Sequence, residues 1–465
     1  MLLTAIIIYL AITVAVGAWA SKLVKNSNDF VLAGRSLPLF LSASALFATW
    51  FGSETIFGAS SVFLEDGLQG VMEDPFGGAL CLILFGMFYL RPMYRMGVLT
   101  LGDVFRRAFG KKVEFFATVF MVPVYFGFVA AQLVALSLIF GTVTDLSLSQ
   151  GILLSAGIVV IYTFLGGMWA ISITDFIQTT MIVIGLIWVT IMIAQEAGGV
   201  NEILSKAPAG SLQFFPDAGF TSWVNYLGAW IILGLGSIPS QDIYQRVMSA
   251  KSEKVAVQST YLAGGFYLTF GLLPLFIALG AKVLYPELYL ENKQMLLPSM
   301  VLAHGGLPVQ IIFFGALISA IMSTASSGLL APAALISENL IRPLFKEKLK
   351  DTQLLWVLRF SVLAVAIIAT YMASRDSNIY ELVAGASILL LVSLFAPLTA
   401  GLYWKKASKT GAILSMFIGM GVYWICDHLE FEIASHIFGL LASIFAMILG
   451  SYLFPTKSEN NYELS

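Results

Sequence analysis

The chain has 465 residues, 58% hydrophobic and only 11% charged, with a mean hydropathy of +0.88. Soluble domains carry about 25% charged residues, so water is excluded as the solvent for most of this surface. A formal net charge of −2 gives no general attraction for nucleic acid, and the chain is expected to fold as one all-α polytopic membrane domain over residues 1–465.

A crossing helix needs about 20 apolar residues, and about thirteen segments supply them. They run over 3–23, 38–64, 71–95, 114–140, 150–168, 173–195, 222–246, 255–283, 305–336, 354–374, 378–404, 409–428 and 433–454. The first lacks a basic lead-in and reads as a span rather than a cleaved leader. With the N-terminus outside, 21 Lys and Arg residues, Arg246 among them, fall on the cytoplasmic side. Four remain outside: Lys206, Lys282, Lys293 and Arg375. Positive charge concentrates in cytoplasmic loops, so the expectation is a multi-pass protein of the cell (inner) membrane with its C-terminus inside. Cys81 and Cys426 lie in apolar stretches and fit neither a disulfide nor a metal pattern.

The second span carries AlaThrTrpPheGlySerGluThr at 48–55, and the seventh carries GlyLeuGlySerIleProSerGlnAsp at 234–242. Gly and Pro weaken helices, and broken backbone at membrane depth survives only where it lines a cavity or is buried in protein. The breaks lie five spans apart, which predicts two five-span units of opposite direction, 38–195 and 222–404. The segments 3–23, 409–428 and 433–454 flank them, and a solute site falls near the midplane. Gly and Pro are also simply more frequent in membrane helices.

Candidate ligands follow from the hardness of sodium, which prefers several oxygen donors. Span nine contains AlaIleMetSerThrAlaSerSer at 320–327, where Ser323, Thr324, Ser326 and Ser327 share a narrow helical face. Membrane serines and threonines also pack closely or bond back to their own helix. Asp175 opens span six, and intramembrane carboxylates are usually functional, although a helix-start carboxylate can also answer the macrodipole. Glu54, Glu73, Asp74 and Asp242 are placed to face a cationic solute or to reach for interfacial water. Trp50, Tyr125, Phe126 and Phe128 lie at similar depth, where aromatic faces can bind quaternary ammonium groups or pack as ordinary core. His304, His428 and His436 are too dispersed for a metal site, and no Walker loop or nucleophile triad supports ATP-driven transport or an enzyme.

The chain resembles the sodium/solute symporter family over nearly its whole length. The resemblance rests on LeuThrLeuGlyAspValPheArgArgAlaPheGly (99–110), TyrThrPheLeuGlyGlyMetTrp (162–169), TyrGlnArgValMetSerAlaLys (244–251) and the span-nine serines. It implies a LeuT-type 5+5 inverted repeat with spans two and seven broken. It also implies one sodium site from the carbonyls of Ala48, Phe51 and Ala320 with the hydroxyls of Ser323 and Thr324. A second sodium site would use Asp175, Ser323, Ser326 and Ser327. AlaThrTrp (48–50), ArgProMet (91–93) and GlySerIleProSerGlnAspIleTyrGlnArgVal (236–247) look most like the high-affinity choline transporter branch. Trp50 and Phe128 match two walls of that branch's aromatic cage, while Gly78 and Ser240 stand where it has large aromatics. Glu54 aligns with an acidic residue lining the site in the sugar-transporting branch.

The expected solute site is therefore Trp50, Glu54, Asp74, Phe128, Ser240 and Gln241, with Na⁺ as the co-transported ion, lipid around the chain and no organic cofactor. The solute is a cation or amine such as choline, with an amino acid, sugar or carboxylate as alternatives. A transporter-like sensor would need a signalling output, for which the tail after Phe454 is expected to be too short. A channel would need a continuous pore.

Overall fold

The computed structural model describes residues 1–291, 293–345, 348–375 and 379–455. Lys346, Lys457, the Asn378 start of the eleventh expected span and the tail beyond Pro455 lie outside them. The described residues are helical, without a named strand, and ten helices are long and apolar enough to cross a membrane. Large apolar side chains such as Phe40, Leu153, Trp188, Ile367 and Phe445 point outward. That is the arrangement expected where the surrounding solvent is hydrocarbon.

Nine helices position the site: α1 (Leu2–Ala20), α2 (Leu39–Trp50), α3 (Lys111–Val143), α4 (Leu148–Glu196), α5 (Phe220–Gly236), α6 (Gln241–Met248), α7 (Glu253–Leu284), α8 (Leu307–Leu335) and α9 (Ile379–Leu390). The centre is α8, in which every residue from Phe313 to Leu335 is buried. Its small side chains (Gly315, Ala316, Ala320, Ala325 and Gly328 among the serines) let neighbouring backbones approach closely. Helices α3 and α4 pack along it, and α2 reaches it from a third direction.

A straight 49-residue α4 would measure roughly 70 Å, over twice the apolar thickness of a bilayer. It is bent sharply at Gly167, where φ is 49° and ψ −142°. Tyr162 Oη donates to Met322 O at 2.7 Å, and Ser323 Oγ donates to Asp175 Oδ1 at 2.5 Å. Tyr162 and Asp175 are thirteen residues apart, about 20 Å along a straight helix, yet they touch adjacent residues of α8. The chain therefore folds back at this glycine. A Cβ here would lie 2.5 Å from Phe30 O, so the turn needs glycine for space as well as for its positive φ.

Two further interruptions face each other near the centre. Helix α2 stops at Phe51 (φ −83°, ψ 75°), and winding resumes beyond Gly52 in a π-type turn, Glu54–Gly58, that continues into Ala59–Gly70. Helix α5 stops at Gly236, and α6 restarts after Ser240, which is extended at φ −101° and ψ 140°. The ends of the two interrupted segments are tied through the backbone. Leu37 N–H donates to Ser249 O and Lys251 N–H donates to Leu37 O, each at 3.0 Å. One expectation needs correction: Arg246, counted with the cytoplasmic loop charges, is 0% exposed inside α6.

Candidate ion and solute site

Where α2 ends, carbonyls of its last turn lose their intrahelical partners. Thr324 Oγ1 lies 3.3 Å from Ala48 O and 3.0 Å from Ala320 O. One hydroxyl proton cannot satisfy both carbonyls, so lone pairs from two helices converge there. More oxygens gather beside Gly52. A Cβ at that position would sit 2.7 Å from Thr324 Oγ1, 2.8 Å from Glu54 Oε2 and 2.9 Å from Gln132 Oε1. Phe51, fully buried and stacked on Phe47 at 4.9 Å, closes α2 at this level. Such a gathering of neutral and acidic oxygens is the donor set a hard monovalent cation needs.

Ser323 faces elsewhere. Its hydroxyl donates to Asp175, which is fully buried. Ser326 Oγ and Ser327 Oγ both donate to Ser323 O at 2.8 Å, and Ser327 Oγ is 3.3 Å from Thr49 Oγ1. The expected second cluster thus comes together around Asp175, with Arg246 added to it: Arg246 Nη2 donates to Ser327 Oγ and lies 4.0 Å from Asp175 Oδ2.

Next to the Gly52 break is a cavity with an empty volume of about 510 Å³, counting its open mouth. Trp50, Tyr125, Phe128 and Tyr267 supply aromatic walls, Glu54 and Asp242 supply carboxylates, and Ser237 and Ser240 supply hydroxyls. The far wall comes from Val383, Ala386, Ser387 and Leu390 of α9. Asp242 accepts from Trp50 Nε1 at 2.8 Å and from Tyr125 Oη at 2.7 Å. Tyr125 Oη in turn accepts from the backbone N–H groups of Gln241 (2.8 Å) and Asp242 (3.1 Å), so it caps the restarted helix. Ser240 Oγ makes no hydrogen bond within the protein. Glu54 is held by Gln132 Nε2 at 2.9 Å, which places one carboxylate at both the oxygen cluster and the cavity. Among the described residues, no ion pair reaches Glu54, Asp74 or Asp242.

Two expected solute residues stand differently. Asp74 lies one layer behind the wall, accepting from Thr55 Oγ1 at 2.7 Å and Tyr267 Oη at 2.6 Å. Gln241 is a correction: its side chain leaves the cavity, and its Oε1 accepts from Leu101 N–H at 2.7 Å. The reason is local, since Gln241 and Asp242 are adjacent on one helix and point about 100° apart.

The sequence profile of the sodium:solute symporter family matches residues 30–419. This chain belongs to that family. It is 30% identical over 432 residues to the high-affinity choline transporter 1 of Drosophila melanogaster, covering 89% of this chain and 68% of the relative. It is 26% identical to the high-affinity proline transporter PutP of Bacillus subtilis, covering 96% of both. Among solved structures, the substrate-bound, outward-open Na⁺-coupled sialic acid symporter has a TM-score of 0.85 at 19% identity and covers 98% of each chain. That likeness is one of fold. The chain is a multi-pass membrane transporter that couples solute movement to sodium.

Gly78 stands where the resemblance described above leads to the expectation of an aromatic wall, and in this chain another side chain takes the space. A Cβ on Gly78 would lie 2.8 Å from Tyr267 Cε1. Tyr267, from α7, stands edge-on to Trp50 at 6.3 Å and donates in the direction of Asp74 and Trp50 O. Sequence reasoning missed it because nothing local distinguishes this tyrosine from the other 16. Gln132 and Arg246 were missed as well. The signal for Gln132 was polarity inside an apolar run, whereas Arg246 stands in a polar stretch that reads as a cytoplasmic boundary. Tyr267→Ala is expected to weaken binding of a quaternary amine by about 3- to 30-fold, the range of one partly desolvated cation–π wall. The sodium concentration for half-maximal uptake should change much less, and the two titrations on one preparation check this.

Proposed function

We propose that this chain imports a small cationic solute, a quaternary or substituted amine such as choline, together with sodium. The observation that carries this reading is the cavity itself: four aromatic walls and two carboxylates that no Lys or Arg neutralises through an ion pair. Aromatic faces attract ammonium groups through their quadrupoles, and the buried Glu54 carboxylate, which has no cationic neighbour, disfavours an anionic solute, while Asp242 shares its helix with Arg246 one turn away.

The architecture behind it is a LeuT-type 5+5 inverted repeat. Dividing α4 at Gly167, and taking α2 with Ala59–Gly70 and α5 with α6 each as one broken crossing, turns the ten long helices into thirteen crossings. The repeats then span 38–195 and 222–404. Each restarted half-helix carries an acid in its first turn, Glu54 or Asp242, where it offsets the positive end of the helix dipole. The Lys and Arg distribution, Arg246 apart, favours the inner membrane with the N-terminus outside and the C-terminus in the cytoplasm.

Sodium sits between α2 and α8, on the carbonyls of Ala48, Phe51 and Ala320 and the hydroxyl of Thr324, while the hydroxyl of Ser323, expected there from the sequence, is turned to Asp175 instead. Asp175, Ser323, Ser326 and Ser327 form the second cation-binding cluster. With sodium in place, α2 is held against α8 and the cavity wall at Trp50 and Glu54 is complete. Rocking of one bundle against the other then exchanges access.

A thermal-shift series on purified protein in sodium tests the solute class, using quaternary amines, amino acids, sugars and carboxylates. Stabilisation by choline-like amines is the expected result. Stabilisation by proline instead would move the assignment to the amino-acid reading, which the Bacillus subtilis relatives motivate. Proteoliposomes separate the remaining classes, because a symporter concentrates its solute, a channel only equilibrates it and a sensor moves little.

A further inference from the structure

Ser240 holds the N-cap position of α6, where a serine hydroxyl ordinarily accepts from a backbone N–H of the first turn. Here it makes no such bond. Tyr125 Oη already accepts from the N–H groups of Gln241 and Asp242, so the cap is supplied from another helix. Ser240 Oγ is left without a hydrogen bond inside the protein, on a residue that is 5% exposed and lines the cavity.

Glu54 contributes a second acceptor. Gln132 Nε2 and Ser53 Oγ both donate to its Oε2, at 2.9 and 3.4 Å, and neither reaches Oε1. Glu54 is likewise 5% exposed and lines the same cavity. The other polar groups on these walls are engaged. Asp242 accepts on both oxygens, and Ser237 Oγ lies 3.4 Å from Ser387 Oγ.

An acceptor that stays unmatched when the cavity gives up its water costs free energy. A quaternary ammonium head presents only methyl groups, which suit aromatic faces and satisfy no acceptor. A head that keeps N–H groups brings the same charge to those faces and donates charge-assisted hydrogen bonds as well. Aromatic faces also do not surround the head on every side, because Val383, Ala386 and Leu390 of α9 make an aliphatic wall.

We propose that Ser240 and Glu54 select a solute whose cationic nitrogen carries hydrogen, a primary, secondary or tertiary ammonium, over its quaternary counterpart. The proposal rests on the amine reading given above and narrows it. Quaternary amines remain ligands of the aromatic walls, and weaker ones.

The test is calorimetric binding to the whole purified protein in sodium. The probes are ethanolamine and its mono-, di- and trimethyl derivatives, the last of which is choline. All four are cations at neutral pH and share one hydroxyl, so only the number of N–H groups changes along the series. Affinity is expected to fall with each methyl, by about 5- to 100-fold from first to last. Ser240→Ala should shrink that ratio by about 3- to 10-fold while leaving choline binding near its wild-type value. Equal affinities, or choline the tightest of the four, overturn the proposal and leave the amine reading intact. Binding of none of them, with proline stabilising the protein instead, overturns both. A folded Ser240→Ala protein with the full wild-type ratio counts against Ser240 as a selecting group. If that variant does not fold, the wild-type series decides alone.

Discussion

Replacing Gly52 with alanine is expected to abolish sodium-dependent uptake while leaving the helices formed. The added methyl would stand 2.7 to 2.9 Å from oxygens of Thr324, Glu54 and Gln132, which belong to three different segments of the chain. Overpacking of this kind costs about 1–3 kcal/mol in ordinary cores, and here the atom met first is the Thr324 hydroxyl proposed to meet the ion. Thr324→Ala is the milder companion. It deletes one oxygen without pushing on the others, and a hydrogen-bonding partner of a charged group is worth about 1.5–3 kcal/mol. A rise of about 10- to 100-fold in the sodium needed for half-maximal uptake follows. Uptake by Gly52→Ala with ordinary sodium activation would show that the ion binds elsewhere.

Asp242→Asn is expected to produce the largest loss of solute affinity, at least about tenfold for a quaternary amine. The carboxylate accepts from both Trp50 Nε1 and Tyr125 Oη. An amide offers a single acceptor oxygen and turns an NH₂ group toward one of these two donors, and an unsatisfied buried donor costs about 1–3 kcal/mol. Two consequences combine. The wall that carries Trp50 loses its anchor, and the cavity loses a negative charge. A neutral isostere of the amine, in which carbon replaces nitrogen, separates them, since it should lose only the part due to wall geometry. Equal losses for amine and isostere would remove the electrostatic half of the argument. Unchanged amine affinity would remove Asp242 from the site altogether.

Energetics allow strong accumulation even with one coupled ion. At −100 mV one charge gains about 2.3 kcal/mol, and a tenfold sodium gradient adds about 1.4. A monovalent cationic solute gains a further 2.3 or so from the potential. The total, about 6 kcal/mol, corresponds to a solute gradient of roughly 10⁴-fold. A second sodium ion would steepen it further.

What could be read in advance follows from which constraints are local. Lipid demands long apolar runs, so membrane residence was plain from composition. Helix interruption was expected at Gly52 and at Gly236 to Pro239 because these residue types weaken winding, although Gly315, Gly328 and Pro332 sit inside the unbroken α8. Contacts between distant segments are another matter. The closeness of Asp175 to Ser323 was available only through family resemblance, with 148 positions between them. Arg246 was misplaced because it stands just before Lys251 and Lys254, and sequence alone does not show that α6 ends after this side chain has turned inward. Gln241 was misplaced by one residue's rotation about a helix axis. Tyr267 escaped because its role exists only over the absent side chain of Gly78, on a helix far away in the chain.

The paired amides at Leu37 and Lys251 carry a kinetic implication. They staple the stretch ahead of α2 to the stretch behind α6, so this end of the protein cannot part without exposing both protons to solvent. Deuterium uptake at these two positions should consequently act as a clock for opening. It should be slow when sodium and solute lock the molecule shut and faster whenever the pathway to that side is vented.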